Sequence, residues 1–246
     1  MRLSVVCCTY GRPELLRRVL WCFERQTHED RRLIALDDSG RLGNHEGDRW
    51  RIISRPGRYT TLGEKRNAVA SLATGDALVV WDDDDLYLPR ALEATAAALE
   101  RAPWSRPSLA CLRGPHGTLQ RVRTWNRPDQ TDKAFQCGWG IDAVAFWRAG
   151  GYAKLSRGED CKLAKRLLEQ HVHECDPMQL GYDPFYIWGP WTNRHLTHVP
   201  YADWPEPNHG VETMLPERPP GFDLERSIFS ERVNKRPGPD DWFQED

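Results

Sequence analysis

The amino-acid sequence predicts an α/β fold in which a mostly parallel sheet is flanked by helices and followed by a smaller antiparallel portion. Over residues 1–103, short apolar runs alternate with segments of helical periodicity, a pattern that indicates parallel βαβ units. Between residues 108 and 125 the pattern changes to alternating, glycine-interrupted segments, which are typical of antiparallel strands. The 246 residues suffice for one large α/β domain or two small ones.

The N-terminal segment predicts one complete βαβ unit. Residues 3–8 (LSVVCC) form a compact apolar run typical of a doubly buried parallel strand. The loop over residues 9–13 ends in Pro13, which suits the first turn of a helix. An apolar stripe at helical spacing follows at Leu15, Leu16, Val19, Leu20 and Phe23. Residues 32–36 predict the second strand, which ends in the acidic loop 37–40.

The following segment contains four consecutive aspartates at the end of a predicted strand. Residues 52–53 predict a weak short strand, and a helix opens at residues 63–67 and closes at Gly75. Residues 78–81 predict a buried strand that ends abruptly in four consecutive aspartates, residues 82–85. Pro89 then begins an alanine-rich helix that Pro103 stops.

The four aspartates repel one another and need a counter-ion if they are buried. They stand at the carboxyl end of a strand, which is where open α/β sheets place their ligands. Carboxylate oxygens are hard ligands that suit Mg²⁺ or Mn²⁺ bridging a diphosphate. The alternative is an acidic turn that is simply solvated.

The remainder of the chain has weaker signals. Residues 137–147 are apolar and glycine-rich, and a helix with a buried stripe at Leu163, Leu167 and Leu168 follows the Gly158-Glu159-Asp160 segment. Residues 171–175 alternate like a strand. Residues 204–246 show little periodicity and predict a proline-rich arm that wraps the domain or is partly disordered.

Composition bounds the class of protein. The net charge of −2 excludes a global field for polyanions, although residues 101–127 hold six arginines and a histidine without any acid. Seven cysteines occur without a Cys-x-x-Cys pair. The sequence has no signal-peptide pattern and no membrane-spanning apolar run. We therefore expect a soluble, cytoplasmic protein with free thiols.

The chain resembles a known family in six sequence motifs, which occur in the same order along the chain as in that family. They are residues 8–16 (CTYGRPELL), Gln26-Thr27, residues 37–40 (DDSG), Gly63 with Arg66-Asn67 and Gly75-Asp76, residues 82–89 (DDDDLYLP), and Gly150-Gly151-Tyr152 with Gly158-Glu159-Asp160. The chain resembles glycosyltransferase family 2, the nucleotide-sugar-dependent enzymes of the GT-A fold. It has no Gln-x-x-Arg-Trp motif, which argues against a processive polysaccharide synthase.

The resemblance implies a GT-A type, Rossmann-like domain over residues 1–203. Residues 1–103 would form the nucleotide-sugar half, residues 104–203 the acceptor half, and residues 204–246 the C-terminal arm. The implied donor is a nucleotide-sugar, with uracil the family's commonest base, and nothing in the sequence excludes thymine or guanine.

The resemblance also implies the residues of the donor site. By the spacing to Pro89, Asp84 would be the direct ligand of Mn²⁺ or Mg²⁺, Asp82 would lie nearer the ribose, and His198 would be a late metal ligand. Asp38 would accept a hydrogen bond from the imide N–H of the base. The residues expected to bind the nucleotide-sugar are Thr9, Tyr10, Arg12, Asp38, Lys65, Arg66, Asp82 and Asp83.

Asp160 is the residue we expect to be the catalytic base. It lies at the start of a helix, where the dipole and free N–H groups favour an ionised carboxylate. It would take the proton from an acceptor hydroxyl in a single displacement that inverts the anomeric configuration. The alternative role is a simple helix cap, with Glu159 as an acidic neighbour.

The arginine-rich stretch falls in the expected acceptor half. Arg113, Arg121, Arg123 and Arg127, with Trp104 and Trp125 between them, suggest an anionic acceptor. Candidates are DNA with hydroxymethylated pyrimidines, a nucleotide, a phospholipid-linked saccharide or an acidic glycan, and the alternative is a solvated arginine face. Aromatic stacking on the acceptor or sugar is another expectation, for Trp139, Trp147, Trp188 and Trp191.

Two other functions remain open at the sequence level. A nucleotidyltransferase also uses clustered aspartates and a metal ion, but it would not need Asp160. A non-catalytic module that binds nucleic acid or glycan would need neither a nucleotide-sugar nor Asp84.

Overall fold

A computed structural model describes residues 1–113, 119–124, 136 and 138–188 of the chain. The helices are α1 (Pro13–Glu24), α2 (Leu62–Ala70), α3 (Ala91–Leu99), α4 (Ala143–Arg148) and α5 (Glu159–Glu169), with a 3₁₀ turn at Pro177–Leu180. The strands are β1 (Leu3–Thr9), β2 (Arg31–Asp37), β3 (His45–Glu46), β4 (Trp50–Ser54), β5 (Ala77–Asp82), β6 (Leu86–Tyr87), β7 (Trp104–Ser105), β8 (Leu109–Arg113), β9 (Leu119–Arg123), β10 (Gly140–Asp142), β11 (Glu174–Cys175) and β12 (Tyr186–Trp188).

The larger sheet confirms the predicted α/β class. Its strand order is β11-β7-β10-β5-β1-β2-β4-β3, and β5, β1, β2 and β4 are all parallel neighbours. Strands β10 and β3 are antiparallel additions. Parallel order follows from the apolar runs of β1, β2 and β5, which are buried on both faces of the sheet.

The two faces of the larger sheet carry separate apolar cores. One core joins β1, β2 and β5 to α1, α3 and the smaller sheet, and the other joins the opposite side chains of the same strands to α2, α4 and α5. Helices therefore cover both faces, as in a doubly wound sheet. No helix in the part of the chain that the structure describes is long and apolar enough to cross a lipid bilayer.

The smaller sheet has the strand order β6-β12-β8-β9. The antiparallel pair of β8 and β9 confirms the change of pattern predicted after residue 108. Strand β12 pairs antiparallel with β6 and parallel with β8. Because β6 immediately follows the four aspartates, the smaller sheet is built directly onto the end of β5.

The prediction of a strand over residues 171–175 was wrong for most of its length. Only β11 (Glu174–Cys175) is a strand, paired with β7. His171 has a φ of 54°, and the amides of His171 and Val172 donate to the carbonyls of Leu168 and Leu167 at 2.9 Å each. These bonds are those of a Schellman motif, so residues 171–172 end α5. The predicted C-terminal arm, residues 204–246, lies outside the described residues.

Candidate active site

The carboxyl ends of β1, β2 and β5 bring the predicted site residues to one edge of the larger sheet. Thr9 is in register with Asp37 on β2, and Cys8 is in register with Asp82 on β5. Asp38 and the aspartates after Asp82 continue from these ends. The edge therefore has the location expected of a ligand site in an open α/β sheet.

Asp37 is a structural residue of this edge. Its carboxylate is buried and accepts hydrogen bonds from the amides of Gly11 (2.9 Å) and Ser39 (3.1 Å) and from the hydroxyls of Ser39 (2.9 Å) and Ser54 (2.7 Å). Four donors leave it little capacity for a ligand. Asp37 therefore fixes the loop after β1 to the loop after β2.

Asp38 is buried beside a lysine. The Lys65 ammonium donates to the Asp38 carboxylate and, at 2.5 Å, to the Thr9 carbonyl oxygen. The Tyr59 amide donates to the other Asp38 oxygen at 3.1 Å. The Tyr10 ring lies 5.1 Å from the Arg58 guanidinium and 5.9 Å from the Lys65 ammonium. Thr9, Tyr10, Asp38 and Lys65 thus form one slot, in which Lys65 is the buried counter-ion of Asp38 and not a surface cation.

The four aspartates point alternately outward and inward. The side chains of Asp82 and Asp84 are 31% and 15% exposed, and that of Asp83 is 2% exposed. Asp85 is also buried, and it accepts a hydrogen bond from the Tyr186 hydroxyl at 3.0 Å. Burial separates the run into two carboxylates that face the site and two that hold the loop.

The two partly exposed aspartates are next to arginines. Arg12 contacts Asp83 at 2.7 Å and Asp84 at 3.8 Å, and Arg66 contacts Asp82 at 3.1 Å. Burial raises the pKa of Asp83 to about 7, and the Arg12 guanidinium acts against that rise. A carboxylate this deeply buried and ion-paired is poorly suited to bind a ligand, so Asp83 is better explained as the anchor of Arg12.

The donor set fits a hard divalent cation only in part. Within the described residues, no three His, Cys, Asp or Glu side chains are grouped so that they alone hold a metal ion. Asp82 and Asp84 nevertheless supply two partly exposed carboxylates. Mg²⁺ and Mn²⁺ commonly take one or two carboxylates and complete their shell with phosphate oxygens and water. The predicted third ligand, His198, lies outside the described residues.

Helix α2 begins with a capping box that sets the position of Lys65 and Arg66. The Thr61 hydroxyl accepts from the Glu64 amide, and the Glu64 carboxylate accepts from the Thr61 amide, each at 3.2 Å. Both reciprocal bonds satisfy amides that the first helical turn leaves open. The two basic residues that follow are buried, and they face the carboxyl edge of the sheet.

Helix α2 is also joined to the segment ahead of α5 by contacts that we call the α2 clamp. The Asn67 side chain accepts from the Tyr152 amide at 2.8 Å and donates to the Tyr152 carbonyl at 2.9 Å. The Gly63 amide donates to the Leu155 carbonyl at 2.9 Å. A Cβ on Gly63 would lie 1.8 Å from the Ala153 carbonyl oxygen, so only glycine permits this approach.

Arg66 connects Asp82, at the end of β5, to the start of α5. Besides Asp82, its guanidinium donates to the Gln136 side chain and lies 3.5 Å from the Glu159 carboxylate. Gln136 in turn donates to the Tyr152 hydroxyl. Burial raises the pKa of Tyr152, and Asp82 and Asp160 raise it further. Both carboxylates therefore lie close enough to Tyr152 to affect its hydroxyl.

Asp160 occupies the first turn of α5, as predicted. Gly158 precedes the helix with a φ of 72°, which favours glycine. Glu159 is buried, whereas Asp160 is partly exposed and accepts a hydrogen bond from the Cys161 amide at 2.7 Å. The partly exposed carboxylate is the one accessible to a substrate.

The predicted acceptor surface is only partly described. Arg121 and Arg123 are exposed on β9, and Arg121 contacts Asp183 at 3.3 Å. Arg127 and Trp125, together with the side chain of Arg113, lie outside the described residues. The prediction that Trp104 belongs to this surface was wrong, because Trp104 is fully buried.

Trp104 instead packs in the second core. It is 5.0 Å from the ring of Trp139, and the guanidinium of the fully buried Arg106 lies over both rings. Trp139 is thus unavailable for stacking on a ligand. Trp147 is 46% exposed, Trp188 is half-buried, and Trp191 lies outside the described residues.

Sequence reasoning missed the roles of Gln136, Tyr152 and Glu159 around Arg66. Tyr152 and Glu159 stood in recognised motifs, but their contacts with α2 depend on the fold. Gln136 had no signal in the sequence.

Comparisons with known proteins agree with this fold. The family model described as Glycosyl transferase family 2 matches residues 4–151. The crystal structure of S. aureus TarS 1–349 in complex with UDP-GlcNAc superposes with a TM-score of 0.61 at 14% identity, covering 81% of this chain and 62% of that one. The complex of TarS 1–349 with UDP gives 0.57 at 14% identity, covering 77% and 60%. No curated protein sequence matches the chain. The chain spans less than two thirds of these TarS structures.

Proposed function

The chain belongs to glycosyltransferase family 2, and from this premise we propose that it is an inverting, metal-dependent glycosyltransferase that moves a sugar from a nucleotide-sugar to an acceptor hydroxyl. The observation that carries the proposal is that Arg66, which contacts Asp82 at 3.1 Å, also lies 3.5 Å from Glu159, the neighbour of Asp160 in the first turn of α5. Residues 1–103 would bind the donor and residues 104–203 the acceptor.

The proposed donor is a UDP-sugar. The similar TarS structures were solved with UDP-GlcNAc and UDP, which supports uracil as the base. The slot of Thr9, Tyr10, Asp38 and Lys65 would receive the base, with the second lone pairs of the Asp38 oxygens accepting from its imide N–H. Lys65 would hold the Asp38 carboxylate in place for this purpose.

Asp82 and Asp84 would hold Mn²⁺ or Mg²⁺ together with the diphosphate, and His198 remains a proposed third ligand. When bound, the ion would neutralise the charge that grows on the departing diphosphate. Arg12 and Arg66 would lie beside the same charge, since their guanidinium groups already contact these aspartates. Asp83 would hold Arg12 in place.

Asp160 would be the catalytic base. An acceptor hydroxyl oxygen would form the new bond to the anomeric carbon as its proton passes to the Asp160 carboxylate. The bond from the anomeric carbon to the diphosphate oxygen would break, and UDP would leave with the electron pair. One displacement inverts the configuration and needs no covalent enzyme intermediate.

The proposed acceptor is anionic. Arg121 and Arg123 are exposed on the same face of β9, and Arg113 and Arg127 would extend this surface. A hydroxymethylated-pyrimidine DNA, a nucleotide and a phosphate-bearing glycan share the phosphate chemistry that such arginines recognise.

A thermal-shift panel of nucleotide-sugars with and without MnCl₂ tests the donor. We expect stabilisation by UDP-sugars that depends on Mn²⁺, and the absence of any metal-dependent shift with every donor would refute the proposal. A binding module predicts no such shift, and Asp84→Ala should abolish the one that we expect.

The variant Asp160→Asn separates sugar transfer from nucleotidyl transfer. We expect kcat to fall roughly 10²- to 10⁴-fold with donor binding retained. Asp48→Asn is the matched control, because its side chain is 96% exposed. Full sugar-transfer activity in Asp160→Asn would refute the base assignment, whereas nucleotidyl transfer that the substitution leaves unchanged would favour the nucleotidyltransferase.

A further inference from the structure

Glu159 is a buried acid that the proposed reaction does not use. It is the first residue of α5 and precedes Asp160 in the chain, yet its side chain is only 5% exposed. Burial raises the pKa of its carboxyl group, and Arg66 acts against that rise. Complementing the helix dipole does not require burial, since exposed carboxylates in the first turn of a helix are stabilised as well. The buried position therefore calls for a role toward Arg66.

Arg66 divides one positive charge between two carboxylates. Its Nη2 atom lies 3.1 Å from Asp82, and its Nε atom lies 3.5 Å from Glu159. Gln136 accepts from Nη1, and the Tyr152 ring faces the guanidinium at 5.5 Å. These four contacts fix the plane of the guanidinium and, through it, the carboxylate of Asp82.

We infer that Glu159 is a positioning residue of the donor site, which holds and partly neutralises Arg66 so that Asp82 remains oriented and available for the cation of the donor. The inference rests on the proposed function. Without the charge of Glu159, the guanidinium charge falls on Asp82 alone and competes with the divalent ion for the same oxygens. Mutation of a residue that orients a metal ligand without touching the ion commonly lowers metal affinity or activity by roughly 10- to 100-fold.

The test compares Glu159→Gln with Glu169→Gln. Glu169 lies on the same helix, its side chain is 60% exposed, and it contacts only Lys165 within the described ion pairs. The probe is MnCl₂ titrated calorimetrically into protein that is saturated with UDP. We expect Glu159→Gln to weaken the apparent Mn²⁺ affinity roughly 10- to 100-fold, Glu169→Gln to match the wild type, and Glu159→Asp, which keeps the charge, to recover part of the loss. Wild-type Mn²⁺ affinity in Glu159→Gln would overturn the inference.

A double-mutant cycle distinguishes positioning from general damage to the fold. If Glu159 acts through Asp82, Glu159→Gln should cause little further loss of Mn²⁺ affinity in an Asp82→Asn background. Fully additive losses would show that Glu159 does not act through Asp82 and would overturn the inference. Kinetically, KM for the donor should rise at limiting Mn²⁺ while KM for the acceptor stays unchanged.

The same titrations separate failure of the inference from failure of the proposed function. A wild-type protein that binds neither UDP nor Mn²⁺ overturns both. A wild-type protein that binds both, with Glu159→Gln binding equally well, overturns only the role of Glu159.

Discussion

Replacing Asn67 by alanine tests the α2 clamp. The substitution removes two hydrogen bonds at once, the 2.8 Å bond from the Tyr152 amide and the 2.9 Å bond to the Tyr152 carbonyl. Each bond contributes about 1 kcal/mol net, and the buried amide and carbonyl of Tyr152 lose their partner as well. We therefore expect the free energy of unfolding to fall by about 2–3 kcal/mol.

Urea denaturation followed by circular dichroism measures this change. Asn44→Ala is the matched control, since Asn44 is exposed and its side chain accepts only one described hydrogen bond, from the Ser54 amide at 2.8 Å. We expect the control to lose less than about 1 kcal/mol because water can replace its contact. If both variants lose the same free energy within about 0.5 kcal/mol, the clamp does not stabilise the fold as argued.

Three further predictions follow from the site. Because burial raises the pKa of Asp83 from 3.8 to about 7, its bound proton stabilises the fold fully below about pH 4, and this contribution is lost as the pH rises through about 7. In metal-free buffer the free energy of unfolding of the wild type should thus fall more than that of Asp83→Asn between pH 4 and pH 8, and parallel pH profiles of urea unfolding would contradict this. Gly63→Ala should lower the free energy of unfolding by roughly 1–3 kcal/mol, because the new Cβ clashes with Ala153. Helix propensity alone predicts that the free energy of unfolding rises by up to about 1 kcal/mol. Urea denaturation measures the sign of the change, and a rise would contradict the clash. Arg121→Gln combined with Arg123→Gln should raise KM for an anionic acceptor and flatten its dependence on salt, with KM for the donor unchanged; an unaltered salt dependence would remove these residues from the acceptor surface.

The parallel core of the fold was predictable from local patterns. The apolar runs of β1, β2 and β5 and the stripe of α1 each identify their element, because burial on both faces demands continuous apolar residues. The short strands were not predictable in the same way. Strands β6 and β11 have two residues each, and their pairing depends on neighbours that lie far away in the chain.

The candidate site was predictable in position but not in detail. Strand ends placed Thr9, Asp38 and the four aspartates at one edge, and this prediction agrees with the structure. The spacing to Pro89 favoured Asp84 over Asp83 as the metal ligand, but the sequence could not show that Asp83 is buried against Arg12. Nor could it identify Glu159, whose role depends on a contact with Arg66, 93 residues earlier in the numbering.

The alternating burial of the four aspartates determines how the protein tolerates deletion of one of them. Deleting any one of the four codons yields the same protein, with three aspartates in a row. Yet the four residues are not equivalent, since Asp83 and Asp85 anchor to Arg12 and Tyr186 while Asp82 and Asp84 face outward. A run of three aspartates cannot keep both buried contacts and also present both outward carboxylates. A single in-frame deletion here should therefore inactivate the protein, even though three acidic residues remain.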